Sequence, residues 1–117
     1  WTVTARERGD SSGDSWTYRG SAAESYLIGI PEKSVYSNSI LGAATVTAFH
    51  ESWIGFKQVY PTFVIKNSFE THDIGPVEVS FVLDRISGDL IPKMPDRIGD
   101  FYAIEAQKGS CSIKRFL

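Results

Sequence analysis

The sequence has 117 residues, with 12 Lys or Arg, 14 Asp or Glu and a formal net charge of −2, which fits one globular domain with a single core. Its basic residues are scattered from Arg6 to Arg115, so no basic stripe indicates a nucleic-acid-binding surface. No apolar run approaches the ~18 residues that cross a bilayer. The lone Cys111 excludes an internal disulfide and leaves the redox compartment open.

The chain begins at Trp1 and not at Met. We therefore expect a processed product, an excised domain or the ordered part of a longer chain. The length of the chain and the strand patterns described below predict a single β-sandwich domain over residues 1–117.

The first half of the chain consists of short alternating or apolar segments between polar turns. The apolar run at 25–30 (SYLIGI) predicts a strand that is buried on both faces. At 44–50 a strand is favoured over a helix that starts near Ser39, because Val and Thr lose side-chain freedom in a helix. Residues 31–43 are predicted to be irregular. The strands predicted in this half span residues 1–6, 16–19, 25–30 and 44–50.

The clearest strand pattern of the chain lies in its second half, where apolar residues share one parity and polar residues the other. The apolar set is Val77, Val79, Phe81 and Leu83. Two prolines and a glycine predict that residues 90–99 are a loop. The other strands predicted in this half span residues 53–56, 60–69, 101–106 and 111–116, the last two as a hairpin across 107–110.

These patterns predict an all-β fold of seven to nine short strands with at most one short helix. Strands of this number and length pack as two sheets, so we expect a jelly-roll or an immunoglobulin-like sandwich. Segments 77–84, 98–102 and 112–116 are expected to form a meander within one sheet.

Both histidines lie beside carboxylates, which makes these segments candidates for a metal site. His50 precedes Glu51, and His72 precedes Asp73. These ligand types suit zinc or iron, although the spacing matches no established ligand signature. The alternative is that His50 is a half-buried sheet residue and that His72 lies on a polar loop.

No motif marks a nucleophile or a phosphate-binding loop, so we expect no catalytic residue and no cofactor. Asp84 and Arg85, directly after the clearest strand, are interpreted as an ion pair or as support for a turn. The candidate binding residues are aromatic. If Trp16, Tyr18 and Trp53 are exposed, they favour a surface that contacts carbohydrate or protein; otherwise they belong to the core.

The C-terminal third resembles plant-virus proteins. Residues 75–85 (GPVEVSFVLDR) resemble the strand that ends in Asp-Arg in several small jelly-roll coat proteins and in the viral movement-protein superfamily. Residues 98–102 (IGDFY) and 112–116 (SIKRF) resemble the segments that follow in movement proteins, and 48–51 (AFHE) resembles a segment of some icosahedral coats. The resemblance implies a coat-type jelly-roll subunit. The chain departs from this pattern because it is short for a complete shell domain and has no basic arm.

The sequence therefore favours a non-enzymatic structural or interaction subunit that self-associates or docks a protein partner, with a lean towards a viral coat-type protein. Such a subunit is expected to be an oligomer located in a virion, outside the cell or in the periplasm. One alternative is an exported bacterial β-sandwich binding module, such as an immunity, adhesin or secretion-associated domain. The other alternative is a small metal-dependent enzyme that uses His50 and His72.

Overall fold

Alternating apolar and polar residues produce strands throughout the described part of the molecule. The computed structural model describes residues 1–7, 16–19, 25–37 and 42–112, and within these ranges there are strands and no helix. The described residues form thirteen strands, of which nine have four or more residues and four are shorter. They are β1 (Thr2–Glu7), β2 (Trp16–Arg19), β3 (Tyr26–Gly29), β4 (Ser34–Ser37), β5 (Thr45–Phe49), β6 (Trp53–Tyr60), β7 (Val64–Lys66), β8 (Thr71–Asp73), β9 (Val77–Asp84), β10 (Asp89–Lys93), β11 (Arg97–Ile98), β12 (Phe101–Gln107) and β13 (Gly109–Ser110).

Two large antiparallel sheets and one separate pair of strands account for this architecture. The six-stranded sheet has the order β11-β12-β1-β2-β7-β8, and the five-stranded sheet has the order β13-β10-β9-β6-β5. From β5 onward the chain alternates between the large sheets hairpin by hairpin, and β3 pairs with β4 alone. The predicted all-β sandwich is confirmed, whereas the choice between a jelly roll and an immunoglobulin-like topology stays a prediction. In the described residues no helix is long and apolar enough to span a membrane.

The core lies where the two large sheets face each other. The ring of Trp1, just before β1, has its centroid 5.3 Å from that of Phe81 in β9 and 5.8 Å from that of Tyr60 in β6. Phe81 also stacks on Phe56 at 5.2 Å. Three of these rings belong to the five-stranded sheet, and Trp1 leads into β1 of the six-stranded sheet. Because the rings are large, their burial is a principal contribution to the packing of one sheet on the other.

The strand predicted at 77–84 is confirmed as β9 and forms the centre of the five-stranded sheet. Val77, Val79, Phe81 and Leu83 are buried, as their parity predicts. Over its whole length β9 pairs with β6, from Trp53 opposite Asp84 to Tyr60 opposite Val77. The inner faces of β6 and β9 therefore hold one half of the core.

Three predictions in the first half of the chain have different outcomes. The strand favoured at 44–50 is confirmed as β5. The expected burial of 25–30 on both faces is wrong, because Leu27 and Ile30 are exposed. The reason is that, among the described strands, β3 pairs only with β4 and covers the core with one face. The expected irregularity of 31–43 is wrong at β4, where Val35 and Ser37 are buried in alternation.

In the second half, the predicted bounds of two strands are wrong. The strand at 53–56 continues to Tyr60, because Phe56, Gln58 and Tyr60 extend its buried face. Of the strand predicted at 60–69, only Val64–Lys66 is a strand, since Pro61 follows the end of β6 and the chain then crosses to the other sheet.

The loop predicted at 90–99 is also wrong, because β10 and β11 lie there. Pro92 is tolerated in β10 because β13 pairs only with Asp89 and Leu90, so no neighbouring strand needs a donor from Pro92 on that side.

The predicted C-terminal hairpin and meander are wrong as well. Strand β12 lies in the six-stranded sheet, whereas Gly109 and Ser110 form β13 and pair with β10 in the five-stranded sheet. The chain therefore changes sheets at Lys108 instead of turning back on itself. Of the strand predicted at 111–116, residues 113–116 lie outside the described residues.

Candidate functional site

The four candidate metal ligands lie in two separate elements of the fold. His50 and Glu51 belong to the turn between β5 and β6, whereas His72 and Asp73 belong to β8 at the edge of the other sheet. The ring of His50 lies against Trp53, with centroids 4.7 Å apart, and the ring of His72 lies 6.0 Å from that of Phe101. Among the described residues, no three His, Cys, Asp or Glu side chains are placed to hold a metal ion.

The carboxylate of Asp73 has a structural use instead. Its Oδ1 accepts hydrogen bonds from the backbone N–H groups of Phe63, at 3.0 Å, and Gly75, at 2.9 Å. These bonds favour the charged form, so they lower the pKa of Asp73. Asp73 thereby joins the end of β8 to the segment that precedes β7.

Of the aromatic binding candidates, the structure places Trp53 at the surface. Trp53 begins β6 and is 38% exposed. Trp16 and Tyr18 lie in β2, where they pair with Ala5 and Val3 of β1, but their side chains lie outside the described residues.

Trp53 is part of a set of apolar residues on the outer face of the five-stranded sheet. Val82 of β9 lies between Gly55 of β6 and Ile91 of β10, and these three pair directly across the strands. Val82 is 37% exposed and Ile91 is 46% exposed. We call Trp53, Gly55, Val82 and Ile91 the apolar row.

Gly55 allows the indole of Trp53 to join this row. A Cβ atom at Gly55 would lie 3.2 Å from Cζ3 of Trp53 and 2.8 Å from the hydroxyl of Thr47. The edge of the indole therefore occupies the space beside Gly55. The result is a flat, largely apolar strip across three strands.

Arg85 links the β5–β6 turn and the β9–β10 turn, which lie on one side of the apolar row. Its backbone N–H donates to the carbonyl of Ser52 at 2.9 Å, and its Nη1 donates to the carbonyl of His50 at 2.8 Å. Its guanidinium also lies 5.6 Å from the centroid of the Phe49 ring. Since the N–H of His50 donates to the carbonyl of Trp53 at 2.9 Å, these bonds fix the backbone from which the indole projects.

Asp84 supports the turn between β9 and β10. Its Oδ1 accepts from the N–H groups of Ser87, at 3.1 Å, and Ile86, at 2.8 Å, and these bonds lower the pKa of Asp84. The geometry agrees with the interpretation of Asp84 and Arg85 as turn support and gives Arg85 a second role as the link to the β5–β6 turn. It also leaves Ile86 exposed at the tip.

Charged residues flank the apolar row on both sides. Asp84 and Asp89 lie on the side of the turns, and Lys57 and Lys93 lie on the opposite side, each two residues from the row along its own strand. Asp89 pairs with Lys108, the Nζ–Oδ2 distance being 2.9 Å. Lys57 pairs loosely with Glu78 at 3.8 Å, and both side chains are exposed.

Exposed apolar side chains bordered by charges are typical of protein contact surfaces. The sequence pattern identified Trp53 but missed Val82 and Ile91. A signal existed for Val82, because it shares the parity of Glu78 and Ser80, where β9 is otherwise polar. Ile91 was missed because residues 90–99 were predicted to be a loop.

Comparison of the chain with protein-family models, with curated proteins and with solved structures gives no match. The resemblance of residues 48–51 and 75–116 to plant-virus proteins therefore stays a prediction.

Proposed function

We propose that this protein is a non-enzymatic interaction subunit that contacts another protein through the apolar row. The observation that carries the proposal is the placement of Val82 and Ile91 as a cross-strand pair on the solvent side of a sheet whose other face already forms the core. Leaving such side chains in water forgoes about 25 cal/mol per Å² of apolar area, which a contact with a partner recovers.

The rigidity of the surface supports the same function. Arg85 joins the turns on either side of Trp53 through two hydrogen bonds of 2.8 and 2.9 Å. A pre-ordered surface loses little conformational entropy on binding, and a rigid Trp is a frequent hot spot of protein interfaces.

Two narrower versions of this function differ in the partner. In a viral coat-type protein, as the resemblance implies, the partner is another subunit of the same assembly. In an exported bacterial binding module it is an unrelated protein. The metal-dependent alternative is less well supported, because His50 lies in the β5–β6 turn of one sheet, His72 lies in β8 of the other, and Asp73 is engaged by two backbone N–H groups.

Val82→Glu tests the proposal, because it places a charge in the centre of the apolar row without touching the core. Phe69→Glu is the matched control, since Phe69 is 85% exposed and lies on the β7–β8 turn of the other sheet. Thermal unfolding followed by circular dichroism verifies that both variants fold.

The readouts are mass by light scattering over a concentration series and recovery of binding partners by pull-down. We expect wild type and Phe69→Glu to associate equally and Val82→Glu to lose at least tenfold in affinity. A wild type that is monomeric at high concentration and recovers no partner would refute the proposal, as would a Val82→Glu variant that associates normally.

A further inference from the structure

We infer that the apolar row binds a second copy of this chain, face to face, about a two-fold axis that runs along the row. This inference rests on the proposed function and assigns its partner. It follows from how charge is distributed on the two sides of the row.

The three strands under the row share one arrangement. Each carries a member of the row at its centre, and the residues two positions away on either side share its face because the side-chain period of a strand is two. In β10 the outward residues are Asp89, Ile91 and Lys93, in β9 they are Asp84, Val82 and Ser80, and in β6 they are Trp53, Gly55 and Lys57. The side near the turns is acidic and aromatic, and the opposite side is basic.

Rotation about an axis along the row reverses the strand direction and keeps each strand opposite itself. The row then packs on the row of the second copy. Asp89 comes opposite Lys93 of the second copy, and Trp53 comes opposite Lys57 of the second copy. The first contact is an ion pair and the second a cation–π contact, and each occurs twice because the interface is isologous.

The opposite orientation of the second copy, with strands parallel, places β6 opposite β10 of the second copy. It brings Lys57 against Lys93 and Asp84 against Asp84 of the second copy, so it gives no such match. Like charges in that position select against the arrangement. Lys57 can turn towards the second copy, since its bond to Glu78 is long and exposed, at 3.8 Å. Charge complementarity therefore favours one orientation of one partner.

The size of the surface indicates how strong this contact is. Strands β6 and β9 have eight residues each, so with β10 they form a face of about 14 × 26 Å. Such a face buries only about 700 Å² in total, which is below the range of stable interfaces. We therefore expect a reversible dimer whose population depends on concentration.

Cysteine cross-linking tests the position of the axis. Val82 lies on the proposed axis, so Val82→Cys in a Cys111→Ser background places two cysteines opposite each other. Packed sheets are about 10 Å apart, so a bismaleimide of that length should join the two copies. Val59→Cys is the matched control: Val59 is exposed on the same face of β6, four residues from Gly55. It lies about 13 Å from the axis, so the two cysteines would be about 26 Å apart and should not cross-link.

Charge reversal tests the identity of the partner. Lys93→Glu places two acids opposite each other and should weaken the dimer at least tenfold by light scattering. Adding Asp89→Lys and Lys108→Glu reverses the ion pair between positions 89 and 93 of the two copies, preserves the bridge between positions 89 and 108, and should restore the dimer.

Cross-linking through Val82→Cys together with rescue by the triple variant would support the inference. Cross-linking at Val59→Cys, or the absence of rescue, would overturn it. If wild type is monomeric by light scattering but binds a different protein, and Val82→Glu abolishes that binding, the second copy is refuted while the proposed function stands. If Val82→Glu affects no association of any kind, the proposed function fails as well.

Discussion

Phe81→Ala should lower the free energy of unfolding by about 4–5 kcal/mol, because Phe81 joins the two sheets. Its ring is buried and lies 5.3 Å from that of Trp1 and 5.2 Å from that of Phe56. Burial of a Phe side chain is worth up to about 5 kcal/mol by area, and Phe→Ala in a core costs about 3–5 kcal/mol. Since a domain has about 5–15 kcal/mol in all, this single change should remove much of its stability.

Urea denaturation followed by tryptophan fluorescence measures the effect. With a slope of about 1.5–2 kcal/mol per M, we expect the midpoint to fall by about 2–3 M. Phe69→Ala makes the same chemical change at a residue that is 85% exposed, so it should shift stability by less than about 0.5 kcal/mol. If the two variants lose similar amounts, the packing of Trp1 on Phe81 does not hold the sheets together, and the assignment of the core is wrong.

Three further predictions concern turns and buried polar groups. The pKa of Asp84 is lowered in the folded protein, so its contribution to stability is full above the ordinary aspartate pKa of about 3.9 and is lost as pH falls through the lowered pKa. The thermal midpoint of Asp84→Asn should therefore fall less steeply in acid than the midpoint of wild type. Parallel profiles of midpoint against pH would contradict this. Gln58 is buried, and its Oε1 has no hydrogen-bond partner among the described residues, whereas its Nε2 donates to the carbonyl of Gly42 at 3.4 Å. Since that carbonyl also accepts from the N–H of Ser37, Gln58→Met should be neutral or stabilising by up to about 1 kcal/mol in urea, and a clear loss would mean that Oε1 is satisfied as well. Gly88 has φ +80°, and a Cβ atom there would collide with the carbonyl of Cys111. Gly88→Ala should therefore lower the free energy of unfolding by about 1–3 kcal/mol in urea denaturation. Unchanged stability would refute the strained geometry.

The parts of the fold that could be predicted are those set by local alternation. Strand β9 is one, because Val77 to Leu83 alternate without interruption between turn residues. Strand β10 was missed because Pro92 normally excludes a central strand, and only the pairing of β13 shows that Pro92 lies beyond its neighbour's reach. The division of β12 and β13 between two sheets could not be predicted, because it depends on long-range pairing. Gly109 pairs with Leu90, and no residue near Gly109 indicates this partner.

The candidate site divides in the same way. Trp53 could be proposed from its residue type, and the structural role of Asp84 and Arg85 from their position after a strand. The bond from Arg85 to the carbonyl of His50 joins residues 35 positions apart, so it could not be predicted from either segment. The metal hypothesis stays a prediction: residue types gave plausible ligands, but His50 lies in the turn between β5 and β6 and His72 in β8 of the other sheet, which sequence spacing does not indicate.

The proposed self-complementary surface could have been inferred from the sequence had β10 been recognised as a strand. In a strand, Asp89-x-Ile91-x-Lys93 must present acid, apolar residue and base on one face, because the side-chain period is two. Two strands away, Trp53-x-Gly55-x-Lys57 places an aromatic group and a base on either side of a buried glycine. In the proposed dimer, a residue on one side of the axis faces the residue at the same distance on the other side of the axis in the second copy, so opposite charges at equal distances attract each other. A surface that binds an unrelated partner has no need for that spacing. The acid and base of β10 and the indole and base of β6 are placed about the same axis, and this is a stronger argument for a second copy than the exposed apolar side chains alone.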